Sequence, residues 1–345
     1  MLRAGDIVAG RIQPSETIRV EREVAEAHAK TRLRPGDLLV VLVGRIGEAA
    51  VVRPEQEGWN VARSVALVRC SDHGLAQWLR VWLAMPTARA WCETQAVGTA
   101  QRTLGLRSLR QLPVVLPPLV DRERALHVVH AIESKVEVND RIAHAAVALA
   151  DAHFGVLAVD KKSWPVRTFK DVIRSARAGT AARPPMHPGA EGWVAPVDLL
   201  RTPLPYIGIT EVSDLAGVQD SVLIVSKAGQ VRAAVTLTPV IVGRGVLELG
   251  PNEGNDIWWL LHEIRSRSGE LSQLAQGTAG RELSARAFAH AVVAWPPEEV
   301  RGRFAHLASA LHTRAIAAQH ENRTLGALLA GFLRNLASSA MPPRV

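Results

Sequence analysis

The sequence predicts an α+β chain of two similar globular units joined by two long, antiparallel, coiled-coil-like helices, with pseudo-twofold geometry. Two observations lead to this prediction. Residues 98–126 recur as residues 277–305, without a gap, at an offset of 179 (277 − 98). Each copy is followed by a long proline-free segment in which apolar residues are spaced three and four apart, as on one face of a helix.

The repeated phrase begins with Gly-Thr-Ala in both copies. It aligns Arg102 with Arg281 and the Pro-Pro pair at 117–118 with the pair at 296–297. Two copies of a unit of this size indicate a duplication with twofold geometry, because solenoids repeat much shorter units.

A weaker echo of the repeat lies upstream in each half. Residues 37–52 resemble residues 221–236, with one residue inserted. Both stretches have β-branched and leucine runs on either side of a glycine, which is typical of a strand, a turn and a second strand. The apolar run at residues 38–43 is far too short to span a bilayer, and it is interpreted as a buried strand.

The long segments are predicted to be helices over residues 119–155 and 298–338. Proline at a helix start costs little, because the missing N–H would have no partner there. The apolar seams include one polar residue each, Asn139 and Asn322. Helices of this length span about 55–60 Å, and neither can bury its seam alone. They are therefore expected to pack on each other, between globular units at 1–118 and 163–297.

Composition favours a polyanionic partner without requiring one. The chain of 345 residues carries 41 Lys+Arg against 33 Asp+Glu, a formal net charge of +8. Such an excess bears on association and not on fold, and an ordinary basic protein is the alternative. The two cysteines form no CxxC motif, which favours a reducing cytoplasm. No membrane association is expected.

The sequence has no recognisable catalytic motif. It lacks a P-loop, a GxGxxG after a strand, an HExxH and a methyltransferase Asn/Asp-Pro-Pro-Tyr loop. A nuclease core could be sought near Asp37 and Glu48, but Ala50 stands where that core needs lysine. His127 and His130 have no ligand partners arranged around them and are expected to lie on the surface. The chain is therefore predicted not to be an enzyme and to bind no cofactor.

The repeated motifs resemble those of the specificity subunits of type I restriction–modification systems. The resemblance covers nearly the whole chain and is sharper in the first half. In that half it rests on residues 35–52, 98–104 and 111–119. In the second half it rests on Trp164, residues 168–172, Gly179, residues 192–200, and residues 277–278 and 294–297.

This resemblance implies that each globular unit is a target-recognition domain that reads one half of a bipartite double-stranded DNA site. It implies that the helices space the two domains and dock two adenine methyltransferase subunits, which would bind S-adenosylmethionine; a restriction subunit is a further partner in such systems. The alternatives are a degenerate scaffold relative, or the specificity part of a fused or stand-alone DNA methyltransferase or nuclease.

The chain departs from the family pattern at its start. About 30 residues, 163–192, precede the WVAPVDLL stretch, whereas residues 2–7 match that stretch with no equivalent lead before them. The first target-recognition domain is therefore expected to be truncated at its N-terminal side; a misassigned start of the domain is the alternative.

Candidate DNA contacts are taken from turns and loops, because these supply most contacts to phosphates and bases. For each of them an ordinary solvated side chain is the alternative. The candidates in the first unit are Arg45, Arg63, Thr99, Gln101 and Arg102. Those in the second unit are Lys227, Gln230, Arg232, Thr278, Arg281 and Arg286.

Overall fold

The computed structural model describes residues 1–14, 18–70, 72–98, 101–180, 192–208, 222–227, 230–276 and 282–340. It divides into two compact units. Unit 1 comprises Met1–Lys135 and Leu325–Val345, and unit 2 comprises Val136–Thr324. Both unit boundaries fall within long helices, so each long helix contributes to both units.

The elements alternate between short strands and helices before each long helix. Up to the end of the first long helix they are β1 Ile7–Val8, β2 Arg11–Ile12, α1 Arg22–Ala27, β3 Leu38–Val41, β4 Ala49–Val51, β5 Val65–Val68, α2 His73–Ala84, α3 Pro86–Gln95, α4 Leu106–Leu109 and α5 Leu119–Leu157. After it they are β6 Val166–Thr168, α6 Phe169–Val172, β7 Ile173–Ala178, β8 Gly192–Val194, α7 Pro196–Arg201, β9 Tyr206–Ile207, β10 Val222–Lys227, β11 Gln230–Thr236, β12 Val240–Val242, β13 Leu247–Pro251, α8 Asp256–Ser266, α9 Ser268–Gln273, α10 Ala285–His290, β14 Val292–Ala294 and α11 Glu298–Ala340.

Unit 1 is built on a three-stranded antiparallel sheet in the order β4-β3-β5. The central strand β3 is the apolar run identified in the sequence, and all four of its residues are buried. A strand that is buried on both faces reads as a continuous apolar run, which is why the sequence predicted it. Helix α2 packs on this sheet and contributes Ala76 and Leu83 to the same core.

Unit 2 contains the same three-strand arrangement within a larger sheet. Its five strands have the order β7-β13-β10-β11-β9. Strands β10 and β11 form the hairpin that echoes β3 and β4, and β13 lies beside β10 as β5 lies beside β3. The two strand–turn–strand stretches predicted from the sequence are therefore both present.

The same pair of backbone hydrogen bonds encloses the start of the repeated phrase in both units. In unit 1, Val97 and Thr103 exchange two backbone hydrogen bonds (3.0 and 2.8 Å), and in unit 2 Gln276 and Glu282 do the same (3.1 and 2.9 Å). These pairs are related by the offset of 179 (276 − 97 and 282 − 103). Gly98 has φ +116°, and a Cβ there would lie 2.6 Å from the Gln101 carbonyl oxygen, so this turn requires glycine.

The start of unit 1 matches the middle of unit 2. The Arg3 N–H donates to Asp6 Oδ2 (2.7 Å), and the Ala195 N–H donates to Asp198 Oδ2 (2.8 Å), within the two stretches that the sequence alignment equated. Elements β6, α6 and β7 precede this point in unit 2. Among the described residues of unit 1 they have no counterpart.

The two long helices begin at equivalent positions and run antiparallel, as the sequence predicted. Helix α5 starts at Leu119 and α11 at Glu298 (298 − 119 = 179). Within unit 2, Asn139 near the middle of α5 bonds Glu321 (2.9 Å), and Phe154 further along α5 packs on Phe304 near the start of α11. The mixed helix-and-sheet class and the paired long helices are thus confirmed.

A polar layer interrupts the seam between these helices in unit 2. Asn139 is fully buried. The Asp140 carboxylate accepts from Asn322 Nδ2 (2.7 Å) and Gln319 Nε2 (3.3 Å). Asp140 and Gln319 occupy the same repeat position (319 − 140 = 179). A polar pair inside an apolar seam fixes the register of two helices, because any shift leaves the buried groups unpaired.

Each long helix is anchored, by a polar residue at the same repeat position, to the unit that precedes it in the chain. In unit 1, Glu133 on α5 accepts two hydrogen bonds from Arg80 on α2 (2.6 and 3.0 Å). In unit 2 the equivalent residue on α11 is His312 (312 − 133 = 179), which contacts His262 on α8 (2.9 Å).

One helical stretch, Leu119–Ser163, is long and apolar enough to cross a membrane by length and composition, with a window of mean hydropathy 1.7. Its Ala143, Val147 and Phe154 are buried in the apolar core of unit 2. We therefore interpret it as a core helix.

Replacing Glu133 with alanine is expected to lower the free energy of unfolding by about 3 kcal/mol, because it leaves the buried Arg80 guanidinium without its carboxylate and with only the Gln77 contact. Glu26→Ala on α1 is the control, because its pair with Arg22 is exposed at both ends and its loss costs less than about 1 kcal/mol. Urea unfolding followed by circular dichroism measures both. Equal losses would contradict the anchoring role of Glu133.

Candidate nucleic-acid interface

Two candidate segments of unit 1 meet at one end of strand β3. The turn of residues 44–47 follows that strand, and the loop of residues 98–103 returns to it through a bridge between Val43 and Thr103. Arg45 and Arg102 therefore belong to neighbouring segments, although 57 residues (102 − 45) separate them in the chain.

Arg45 is held by unit 1 itself. Its guanidinium donates to the carbonyl oxygen of Ile7 (2.6 Å) and forms an ion pair with Glu48 (2.5 Å). The side chain is half-exposed, so one edge of the guanidinium also faces solvent. Its first role is to tie the turn to β1, which sets the position of anything the turn presents.

Arg102, like Arg45, makes internal bonds while its side chain stays partly exposed. It bonds both the carboxylate of Glu93 (3.1 Å) and the Glu93 carbonyl oxygen, and so closes the loop onto the end of α3. Its side chain is half-exposed. Gln101 beside it is exposed. Thr99 lies outside the described residues.

Arg63 is placed differently. It is exposed, just before strand β5, and it makes no hydrogen bond or ion pair with the described part of the chain. Its guanidinium therefore needs to break no internal contact in order to bind a phosphate or a base edge.

In unit 2 the candidates are distributed over the β10–β11 hairpin and α10. Lys227 and Gln230 are paired across the hairpin at its end. Arg232 on β11 and Arg286 on α10 are exposed. Thr278 and Arg281 lie outside the described residues.

Arg232 lines a cavity of about 420 Å³ in unit 2. A second arginine, Arg265, lines the same cavity with Ser266, Ser268 and Thr202. Arg265 is already engaged, since it donates to both carboxylate oxygens of Asp151 (2.8 and 3.3 Å). The cavity wall is therefore polar but nearly balanced in charge.

Behind this cavity lies a buried chain of hydrogen bonds that no sequence motif indicated. Asp151 contacts His262 Nδ1 (2.7 Å), His262 Nε2 contacts His312 Nε2 (2.9 Å), and His312 Nδ1 contacts the Tyr206 hydroxyl (2.6 Å). One proton assignment satisfies all three contacts with both imidazoles neutral. His262 donates to Asp151, His312 donates to His262, and Tyr206 donates to His312.

Burial and hydrogen bonding set the protonation of this chain. Burial lowers the pKa of His262, and it lowers the pKa of His312 to about 3. Burial also raises the pKa of the Tyr206 hydroxyl. Burial alone would raise the pKa of Asp151. Hydrogen bonds from His262 and Arg265 outweigh burial and hold the pKa of that carboxyl well below its usual range. In this chain of hydrogen bonds both histidines are therefore neutral, and Asp151 is charged.

Aspartate, histidine and tyrosine side chains also occur in catalytic proton relays, but here their hydrogen bonds serve to hold the fold together. In the proton assignment above, every imidazole nitrogen already has a protein partner, and no nitrogen remains for a substrate or metal. Among the residues that the structure describes, no group of three or more His, Cys, Asp or Glu side chains is arranged to hold a metal ion.

Comparison with known proteins agrees with this geometry. No protein-family model matches the chain. A curated relative, the type I restriction enzyme EcoBI specificity subunit of Escherichia coli, is 28% identical over 138 residues, which is 40% of this chain and 27% of that protein. The type I restriction–modification S subunit from M. genitalium superposes with TM-score 0.53 at 13% identity, covering 92% of this chain and 86% of that one. This chain has the fold of a type I S subunit.

The family resemblance stated from the motifs is thereby confirmed. The S subunit from Thermoanaerobacter tengcongensis also aligns over 96% of this chain and 88% of its own length, at 17% identity and TM-score 0.34. The sequence match itself spans about a quarter of the curated relative.

The neutral histidines predict a pH dependence of stability. In the unfolded chain His312 takes up a proton near pH 6.5, but in the folded chain only near pH 3. Between these values the unfolded state binds more protons. The free energy of unfolding should therefore fall as the pH is lowered from 6.5, by about 1.4 kcal/mol per pH unit for each such histidine.

His312→Gln should make this slope shallower, whereas His290→Gln, at an exposed position on α10, should leave it unchanged. Urea unfolding at a series of pH values between 4 and 7 measures the slope. A wild-type slope in His312→Gln would contradict the assignment.

Proposed function

We propose that this chain is a DNA-recognition subunit without chemistry of its own. Each unit contacts one half of a bipartite double-stranded site, and a separate methyltransferase acts on the DNA. The observation that carries the proposal is the repetition of one backbone bridge, Val97–Thr103 and its equivalent Gln276–Glu282, in two units of one chain. A protein that reads two half-sites needs two similar reading surfaces.

No reaction centre is recognisable among the residues that the structure describes. The described residues contain no metal-holding cluster, and their buried histidines are fully engaged by protein partners. We infer that S-adenosylmethionine is bound by the partner methyltransferase and that this chain holds no cofactor. With a formal net charge of +8, it would work beside DNA in the cytoplasm.

The arginines divide into two groups for DNA binding. Arg45 and Arg102 hold the turn and the loop in place through internal bonds, and both side chains are about half-exposed. Arg63 has no internal partner among the described residues, so it is the better candidate for a phosphate contact. Phosphate contacts position a protein on DNA and add a salt-dependent term to affinity for every sequence.

Arg63→Ala is expected to weaken DNA binding for all sequences and to lower the log–log salt slope by about one unit. Arg124→Ala, which removes an equally charged and well-exposed side chain from the long helix α5, is the matched control. Fluorescence anisotropy with duplex DNA at three salt concentrations measures both. Unchanged affinity and slope in Arg63→Ala would remove Arg63 from the interface.

Arg102→Ala separates two roles. If Arg102 only ties the loop to α3, thermal stability falls while affinity per folded molecule is unchanged. If it also contacts DNA, affinity falls as well.

The long helices carry an exposed apolar face that suits a partner protein. On α5 this face includes Ala145, Ala148, Leu149 and Ala152, at helical spacing and opposite the buried seam. Leu149 is 54% exposed, and Leu328, at the same repeat position on α11, is 59% exposed. Two equivalent exposed leucines, one in each unit, agree in number with two methyltransferase subunits. We propose the helix surfaces around these leucines as their docking sites.

Leu149→Glu and Leu328→Glu should each remove about half of the methyltransferase that co-purifies with this chain, because each places a charge in one apolar interface. The double variant should remove nearly all of it. Val24→Glu, at an exposed position on α1, is the control. Co-purification from the native cell, followed by quantitative mass spectrometry, gives the stoichiometry. Full occupancy in the double variant would exclude these faces.

A further inference from the structure

We propose that Arg107 in unit 1 and Arg286 in unit 2 are equivalent contacts to DNA phosphates, one for each half-site. This inference rests on the proposed function, and it names residues by which each unit holds its half of the DNA. Arg286 was a candidate from the sequence, whereas Arg107, at the same repeat position (286 − 107 = 179), was not.

Both arginines lie at the start of the same short helix, α4 in unit 1 and α10 in unit 2. The residue before each helix has nearly the same backbone, with φ −69° and ψ 147° at Gly105 and φ −74° and ψ 150° at Ser284. The Leu109 N–H donates to the Gly105 carbonyl oxygen (2.9 Å), and the Phe288 N–H donates to the Ser284 carbonyl oxygen (3.0 Å). These bonds are related by the offset of 179 (288 − 109 and 284 − 105). The same local backbone therefore presents both arginines.

The chain on either side of each arginine is fixed to its own unit. Leu104 and Leu109 belong to the core of unit 1 that contains strand β3. Their equivalents, Leu283 and Phe288, belong to the core of unit 2. The arginine between these anchors is exposed in both units. Each unit thus holds a solvent-facing arginine on a fixed piece of backbone.

Other repeated arginines show what this side chain does when it serves the fold. Arg102 bonds the carboxylate of Glu93 (3.1 Å) and closes the loop onto α3. Arg301, at the start of α11, donates to the carboxylate of Asp256 (2.5 Å) at the start of α8. In both cases the guanidinium joins two elements of one unit.

Arg107 and Arg286 make no such contact. Neither guanidinium has a hydrogen bond or ion pair with the residues that the structure describes. His290 contacts the carbonyl oxygen of Arg286 (2.9 Å) and not its side chain. Each guanidinium can therefore take a phosphate in its N–H fork without first breaking an internal bond.

The chain around each arginine is positive without nearby compensation in the sequence. Residues 94–120 contain three arginines and no aspartate or glutamate, and residues 283–297 contain one arginine and no aspartate or glutamate. A cationic side chain in such a segment keeps its attraction for a polyanion. DNA supplies one negative charge for about every 1.7 Å of helix axis.

The repeat favours phosphates over base edges as the target. Neighbouring positions of the phrase differ between the units, since Gln101 aligns with Gly280 and Thr103 with Glu282. Two different half-sites share their phosphates, whereas their base edges carry the difference. An arginine that is identical in both units, among positions that differ, is suited to the shared part.

The test uses the full chain and a fluorescent duplex of mixed sequence, about 40 base pairs or four helical turns long. Arg107→Ala and Arg286→Ala should each lower the log–log salt slope by about one unit, and the double variant by about two, because each removes one phosphate contact. Arg107→Lys and Arg286→Lys should keep the wild-type slope, because lysine retains the charge. Fluorescence anisotropy at several salt concentrations measures the slopes, and circular dichroism checks that each variant is folded.

Arg124→Ala and Arg303→Ala are the matched controls, since these exposed arginines also share a repeat position (303 − 124 = 179). Arg124 lies 3.9 Å from the Asp121 carboxylate, and Arg303 lines a depression together with Glu298 and Glu299. These carboxylates oppose the approach of a phosphate. Both controls should therefore keep the wild-type slope.

A second experiment assigns each arginine to its own half-site. In the bipartite target obtained by selection, a neutral methylphosphonate replaces one phosphate at a time. The wild type should lose affinity at a phosphate position in each conserved block. Arg107→Ala should be insensitive at that position in one block only, and Arg286→Ala in the other, because a contact that is already removed cannot be lost again.

Four results would overturn the proposal. Wild-type slopes in both alanine variants would remove this pair from the interface, while DNA binding by the wild type would leave the proposed function standing. No binding of any duplex by the wild type would end both. Equal slope losses in the controls would mean that net charge and not position is measured. Losses confined to the selected target, with an unchanged slope on mixed sequence, would make these arginines base contacts.

Discussion

Neither long helix can bury its apolar seam without the other, and the remainder of the structure depends on this pairing. A helix with a narrow apolar seam gains most of its stability from the surface that it packs against. Helices α5 and α11 pack in antiparallel register, and the buried Asn139 with the Asp140–Asn322 contact makes other registers costly.

The attachment uses different chemistry in the two units at the same position of the repeat. In unit 1 a partly buried ion pair joins Arg80 to Glu133. In unit 2 neutral His312 bonds neutral His262, which passes the contact on to charged Asp151. Two charged side chains lose much solvation free energy on burial, so each must be fully hydrogen-bonded by the protein. Neutral imidazoles lose less solvation free energy, but they destabilise the folded state when low pH protonates them. A duplicated fold has thus kept the site of the anchor and changed its sensitivity to pH.

Much of the fold could be predicted from the sequence because its signals are local. Strand β3 is a continuous apolar run, Gly98 stands where a positive φ is needed, and both long helices begin directly after a Pro-Pro pair. The pairing of β6 with β14 could not be predicted, since it joins segments about 125 residues apart by backbone bonds alone.

The candidate site was predictable only in part, for a related reason. Residue type and loop position pointed to Arg45 and Arg102, but their bonds to Ile7 and Glu93 depend on tertiary structure. The chain of Tyr206, His312, His262 and Asp151 left no sequence signal, because its members come from a strand and three helices. The domain limits and DNA contacts read from the sequence remain predictions.

The central claim, that one chain reads two half-sites, is tested most directly by selection from a pool of random duplex DNA with the intact methyltransferase complex. We expect enrichment of two short conserved blocks separated by a spacer of constant length and variable sequence. Enrichment of one contiguous block, or of no sequence at all, would contradict it.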